Sequence, residues 1–298
     1  MSLLDLHAGP RADEGGPSDV VWYRVDGSVA RLTLNRPAAL NAIVTRTGPL
    51  LARLVARANA DPTVKVIVLG GAGAGFCSGY DLSLYAERKG SNEGFQSTMP
   101  WDPLKDFANM HQNTTAFMSL WRSLKPVICQ LHGAAVGGGS DIALCCDVIL
   151  CTDEARIGYP PARLWGVPTT AMWVYRVGAE RAKRLLLTGD VVSGKTAAAI
   201  GLVSEAFPTQ AALEAGVAAL AQRMATVPSN QLAMQKLVVN TMFESSGLPA
   251  AQTLATLLDG VARHTPEGVA FKQRAEAVGW KTAVRERDYP AGAPMSKL

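Results

Sequence analysis

The chain has 298 residues, of which 48% are hydrophobic and 18% charged, enough to bury a sizeable core as one large domain or a domain with an appendage. A formal charge of +4, scattered along the chain, excludes a nucleic-acid surface and suits an anionic small substrate. No apolar run is long enough to span a membrane, the first 18 residues mix charges with Gly and Pro, and the five cysteines (77, 129, 145, 146, 151) show no metal-ligand spacing, so buried reduced thiols, no metal and a cytoplasmic location are expected.

Residues 20–26 and 29–35 alternate apolar and polar side chains around Asp26-Gly27, a hairpin signal. Leu50, Leu51, Leu54, Val55 and Ala58 predict a helix that stops at Asp61-Pro62, and a buried strand follows over 64–69. Residues 87–103 are polar and broken by Gly and Pro, which predicts a long surface loop. Phe107, Met110, Phe117, Leu120, Trp121 and Leu124 restore a helix up to Pro126. Strands are expected at 127–131, 148–151, near Ile157 and at 202–205, with helices over 170–177, 180–187 and 193–200 between them. That alternation is α/β. Beyond Pro208 only helices are expected, over 211–226, 229–243, 248–262 and 266–278, with Leu213, Val217, Leu220 and Met224 on one face. The boundaries read from this are a terminal segment 1–18, a core 19–208 and a helical region 209–298.

Two strand-to-helix turns are unusually rich in glycine: Gly70-Gly71-Ala72-Gly73-Ala74-Gly75-Phe76-Cys77-Ser78-Gly79-Tyr80-Asp81-Leu82 and Gly137-Gly138-Gly139-Ser140-Asp141. Glycine lets backbone approach a ligand closely, and an amide at the start of a helix faces outward at the positive end of the dipole. Each turn alone is also explained by tight packing of a helix on a strand. Two together supply one outward N–H each, enough to hold a developing anion.

In order, Leu34-Asn35-Arg36-Pro37 with Leu40-Asn41-Ala42, the Gly75 to Leu82 turn, Pro126-Val127-Ile128 through Gly137-Gly138-Gly139 to Cys146-Asp147, Leu187-Thr188-Gly189-Asp190, and Ala199-Ile200-Gly201-Leu202-Val203 resemble the crotonase, or enoyl-CoA hydratase/isomerase, family. The resemblance runs over residues 21–206. It implies a spiral of ββα repeats with a C-terminal helical trimerisation region, a homotrimer or homohexamer, and acyl-CoA metabolism such as that of fatty acids. Coenzyme A is then part of the substrate and no separate cofactor is implied. It implies that the amides of Tyr80 and Gly138 stabilise a thioester enolate, and that CoA is contacted from Ala39, Leu40, Ser78, Gly79, Tyr80, Asp81, Leu82 and Gly138.

A hydratase of this family has two glutamates, which fall at Asp141 and Pro161 here. Proline carries no proton, so ordinary hydration is expected to be slow while acyl-CoA binding stays intact. Family members that isomerise dienoyl thioesters have an aspartate at the Asp141 position and acids at those of Pro161 and Thr169, which this chain lacks. Asp141 is either the catalytic acid or base or a helix-start residue. Glu87, Glu93, His111 and His132 are the remaining candidates, each also explained as a surface or packing residue. The alternatives are a thioester or C–C hydrolase, or a non-catalytic acyl-CoA-binding member. The terminal Ser296-Lys297-Leu298 reads as a peroxisomal address if the host is eukaryotic.

Overall fold

Strands β1 (Val21–Asp26) and β2 (Val29–Leu34) pair antiparallel with Val21 opposite Leu34 and Asp26 opposite Val29, so Gly27 and Ser28 alone close the hairpin. Gly27 has φ +57°, the left-handed backbone that so short a turn needs. The computed structural model describes residues 15–89 and 99–290, which leaves Glu93 and Ser296-Lys297-Leu298 outside the described residues.

Helix α1 (Thr47–Ala60) buries Leu50, Leu51, Leu54, Val55 and Ala58, the stripe read from the sequence, and ends at Asp61. β3 (Val66–Gly71) lies parallel to β2. α2 (Pro103–Arg122) is started by Asp102, whose carboxylate accepts from the amides of Leu104 and Lys105, and it stops at Arg122, leaving Leu124 exposed beyond its end. β4 (Val127–Leu131), β6 (Val148–Thr152) and β9 (Glu205–Phe207) complete a six-stranded sheet in the order β1-β2-β3-β4-β6-β9, parallel from β2 onward. β5 (Ala134–Val136), β7 (Arg156–Gly158) and β8 (Val191–Ser193) form a second sheet of three. Since β4 leads into β5 and β6 into β7, the chain adds strands to both sheets as it advances, which is the expected spiral. β3 reads as an unbroken apolar run, and β4 as one interrupted only by Gln130, because both faces are covered. Ile67, Leu69 and Cys129 face the main core, while Val66, Val68 and Ile128 lie under the C-terminal part of the chain.

Several elements differ from expectation. The strand expected over 202–205 starts only at Glu205; Leu202 and Val203 are buried because their amides wrap onto Ala197 O at the end of α5 (Gly194–Ala199). β8, three residues long, is too short to show a period. The helices expected over 170–177 and 180–187 are one run, α4 (Trp173–Thr188), broken at Gly178 with φ 74° and ψ 168°. α3 (Gly138–Leu144) starts on the second glycine of its turn and stops before Cys146.

In the tail, α6 (Gln210–Ala225) buries Leu213 and Val217 on Val66, Val68, Ile128 and Leu150, so its stripe folds back on its own chain. α7 (Ser229–Ser245) is tied to the body by Lys236, whose ammonium donates to Leu120 O (2.9 Å) and pairs with Asp147 (2.7 Å). α8 (Leu248–His264) is turned the other way round from a usual surface helix: Gln252, Thr256, Asp259 and Arg263 are buried, while Leu254, Leu257, Leu258 and Val261 are exposed. α9 (Pro266–Val278) lays Phe271 and Ala275 over Tyr85 and Ala86, and α10 (Trp280–Asp288), which the sequence reading did not include, packs beside it. All five cysteines are free and buried. Among the described residues no helix is long and apolar enough to cross a membrane, and no cluster of His, Cys, Asp and Glu could hold a metal ion.

Candidate active site

After β3 the chain returns alongside β5. Cys77 pairs with Ala135 in parallel, its N–H donating to Ala134 O (2.8 Å) while the Val136 N–H donates to Cys77 O (3.1 Å). Three residues further along each segment stand Tyr80 and Gly138, so the register alone brings the two glycine turns together. Their closeness depends on missing Cβ atoms. A Cβ on Gly79 (φ +90°) would lie 2.9 Å from Val136 O and 3.4 Å from Gly138 N, and one on Gly138 would lie 2.9 Å from Cε2 of Tyr80. Gly138 is the first residue of α3, where an amide has no intrahelical acceptor and sits at the positive end of the dipole.

The first turn is braced from behind. Asn41, 2% exposed, donates to Ala72 O and Gly75 O (both 2.8 Å) and accepts from the Arg36 amide (2.8 Å). The Arg36 guanidinium pairs with Asp81 (2.9 Å) and donates to Ala42 O (2.6 Å). The Arg36 to Ala42 motif is thus scaffolding, and Asp81 serves the turn from outside the cavity wall. Ala39 and Leu40 also lie outside that wall, their carbonyls accepting from Ser78 (3.5 and 3.0 Å).

A cavity of about 270 Å³ opens between the two turns and the C-terminal helices. Of the predicted residues, Ser78, Gly79, Tyr80, Leu82, Gly138 and Asp141 line it. Tyr159, Pro161, Trp165 and Thr169 form the wall beyond them, and α10 adds Trp280 and Val284. Asp141 is 2% exposed and accepts a 2.6 Å hydrogen bond from the Thr170 hydroxyl. Burial pushes its pKa up to about 8, the Asp259 charge adds to the rise, and the Thr170 bond opposes it. α3 has no side-chain cap, and the Asp141 carboxyl, though in its first turn, accepts from Thr170. At neutral pH it is mainly a neutral acid.

The other candidates fall elsewhere. Pro161 lines the cavity in the tight turn Pro160–Arg163, with Cγ 3.3 Å from where a Gly137 Cβ would sit. Thr169 accepts from the buried Thr114 hydroxyl (2.8 Å). Glu87 caps α10, accepting from the Trp280 amide (3.1 Å), and does not line the cavity. His111 stacks on Phe107 (centroids 5.3 Å apart) outside the lining, and burial lowers its pKa. His132 is engaged with Gly73 O (2.9 Å), a packing role.

Sequence reasoning missed the pair from α8. Asp259, 5% exposed, and Arg263 both line the cavity. Asp259 accepts from the Val167 amide (2.9 Å) and is paired with Arg263, which also pairs with Asp106 on α2 (2.6 Å). Gln252, Thr256, Asp259 and Arg263 recur at helical spacing in the sequence, but that this polar face turns inward follows only from the packing.

A spiral of ββα turns thus brings two glycine-rich turns, the second of which opens α3, to a mainly apolar cavity. The model for the enoyl-CoA hydratase/isomerase family matches residues 24–269, and the chain belongs to that family. 2,3-Dehydroadipyl-CoA hydratase of Escherichia coli K12 is 32% identical over 258 residues, 83% of this chain and 92% of the relative. The peroxisomal Delta(3,5)-Delta(2,4)-dienoyl-CoA isomerase of Arabidopsis thaliana is 32% identical over 208 residues, 68% of this chain and 74% of the relative. The crystal structure of an enoyl-CoA hydratase from Mycobacterium smegmatis superposes with a TM-score of 0.85 at 44% identity, covering 92% of this chain and 94% of that one. The protein is an enzyme of hydratase/isomerase type acting on acyl-CoA thioesters, and these likenesses favour neither the hydrolase nor the non-catalytic reading.

Proposed function

We propose that the thioester oxygen of an enoyl-CoA sits between the amides of Tyr80 and Gly138, and that Asp141 carries the proton exchanged at Cα. The observation that supports this most directly is the Cys77–Ala135 register, which brings the two glycine turns together beside a cavity that Tyr80, Gly138 and Asp141 line. As the carbonyl becomes an enolate its oxygen gains charge, and a fixed donor there is worth about 3–4 kcal/mol. Asp141, protonated at neutral pH, gives its proton to the enolate at Cα and takes one back in the reverse direction. Coenzyme A enters as part of the substrate, with Ala39, Leu40 and the 78–82 loop beside it.

Exchange of the Cα protons of butyryl-CoA in deuterated water tests this. The protein is expected to catalyse exchange, faster as the pH rises through about 8 and Asp141 ionises. Asp141→Asn is expected to lower the rate by about 10²-fold or more. Exchange that survives the substitution removes Asp141 from the reaction.

We also propose a trimer or dimer of trimers built through the tail. Met234, Leu237, Val238 and Met242 on α7 and Leu254, Leu257, Leu258 and Val261 on α8 leave two outward apolar stripes. Sedimentation of Val238→Asp should reveal smaller species than the unmodified protein; an unmodified protein that sediments as a monomer contradicts the assembly.

A further inference from the structure

An acid from another element stands near Pro161, on the same cavity wall. The point where a Gly166 Cβ would sit is 2.8 Å from Cβ of Pro161, 3.6 Å from Oδ1 of Asp259 and 3.6 Å from the Tyr159 hydroxyl. Asp259 therefore brings an acid from α8 to the cavity wall where proline leaves none. Among the described residues, Oδ1 accepts from the Val167 amide and Oδ2 from Arg263, and a carboxylate oxygen has two acceptor positions.

We infer that Asp259 is the second proton-transfer group of the enzyme, acting on water at Cβ while Asp141 acts at Cα. This rests on the enolate reading above. In hydration the water oxygen bonds to Cβ, and the Cα=Cβ pair moves toward Cα and the thioester oxygen, which lies between the two amides. One water proton passes to the Asp259 carboxylate, and the enolate takes a proton at Cα from the Asp141 carboxyl. The product is a 3-hydroxyacyl thioester, with Asp259 protonated and Asp141 ionised, and a proton returning from one to the other through water restores the start. The environments match these roles. Both groups are pushed up by burial and by a neighbouring carboxylate, Asp106 for Asp259 and Asp259 for Asp141; at Asp259 the Arg263 guanidinium and the Val167 amide oppose the rise, whereas at Asp141 only the Thr170 bond does. The charged and titratable groups around Asp259 include Arg263 on its own helix, Asp106 on α2, Asp141 on α3, Tyr80 and Tyr159, with Arg287 and Asp288 of α10 lining the same cavity.

Crotonyl-CoA hydration by the full-length protein tests the assignment. The expected kcat profile has an acidic limb, where Asp259 gains its proton, and a basic limb near pH 8, where Asp141 loses its own. Asp259→Asn is expected to lower kcat by about 10²–10⁴-fold, to abolish the acidic limb, and to leave KM close to that of the unmodified protein. Asp106→Asn, which breaks the same network away from the cavity, is expected to cost far less. Undiminished kcat in Asp259→Asn, an equal loss in Asp106→Asn, or a native profile without an acidic limb overturns the assignment; the last two still decide if Asp259→Asn does not fold. Absence of Cα exchange in the unmodified protein overturns the enolate reading itself, whereas exchange without hydration overturns the role of Asp259 alone.

Discussion

The wall of the cavity that carries Tyr80 and Gly138 is backbone, set by one strand register, while the wall that carries Asp141 and Asp259 is side chain, assembled from α3 and α8, which are far apart in sequence. A backbone donor is specified by whatever lets two segments approach, here glycines and the Asn41 clamp, and the identity of the donating residue hardly matters. A proton-transfer group is specified by one side chain and is supplied by any element that reaches the spot. The two walls therefore differ in how they tolerate change: the first fails on added bulk, the second on lost chemistry.

Gly138→Ala strikes the backbone wall without touching any acid. Its Cβ would lie 2.8 Å from Cδ1 of Ile43 and 2.9 Å from Cε2 of Tyr80, so the ring and the turn behind it must move. Displacing a donor is expected to lower kcat for exchange and hydration alike by about 10²–10³-fold, with the pH limbs unmoved. A variant with unchanged kcat would mean that the two amides do not hold the reacting oxygen.

On the acid wall the smaller effect is thermodynamic. The folded chain holds the Asp141 proton up to about pH 8, whereas the unfolded chain releases it near 3.8. The folded state therefore binds more protons across that window, and stability falls as pH rises through it. Asp141→Asn cannot ionise, so it is expected to melt at a higher temperature than the unmodified protein at pH 8 and above, by about 2–4 °C for each kcal/mol relieved, and to show a flatter dependence between pH 4 and 8. Calorimetry across that range checks it, and equal slopes would place the Asp141 carboxyl in contact with water.

The same contrast explains what could be read from the sequence. The hairpin, the buried strands, both glycine turns and the helices from 210 to 278 announce themselves through local period and turn chemistry, whereas Tyr80, Gly138 and Asp141 were singled out by the resemblance to the crotonase family. β8 and β9 are three residues each and show no period, and α10 carries Lys281, Arg285 and Arg287 with little apolar signal. Glu87 and His111 lie near the turns in sequence, yet one caps a helix and the other stacks on Phe107. Asp259 is remote in sequence and reaches the cavity only because α8 is inverted, polar side inward. The exposed Leu254, Leu257, Leu258 and Val261 were the counterpart of that inversion, but their outward direction follows from tertiary packing, which one chain's pattern does not contain.

Cys77 lies on the segment that fixes the register, Cys129 and Cys151 on neighbouring strands, and Cys145 and Cys146 just beyond α3, all of them buried. Burial pushes the thiols of Cys77 and Cys151 up to about 12, so the nucleophilic thiolate is scarce even where a reagent could enter. The sulfurs thus act as clocks for the opening of the fold: an alkylating agent marks each only during the excursions that uncover it, and the order of labelling maps which strands part first.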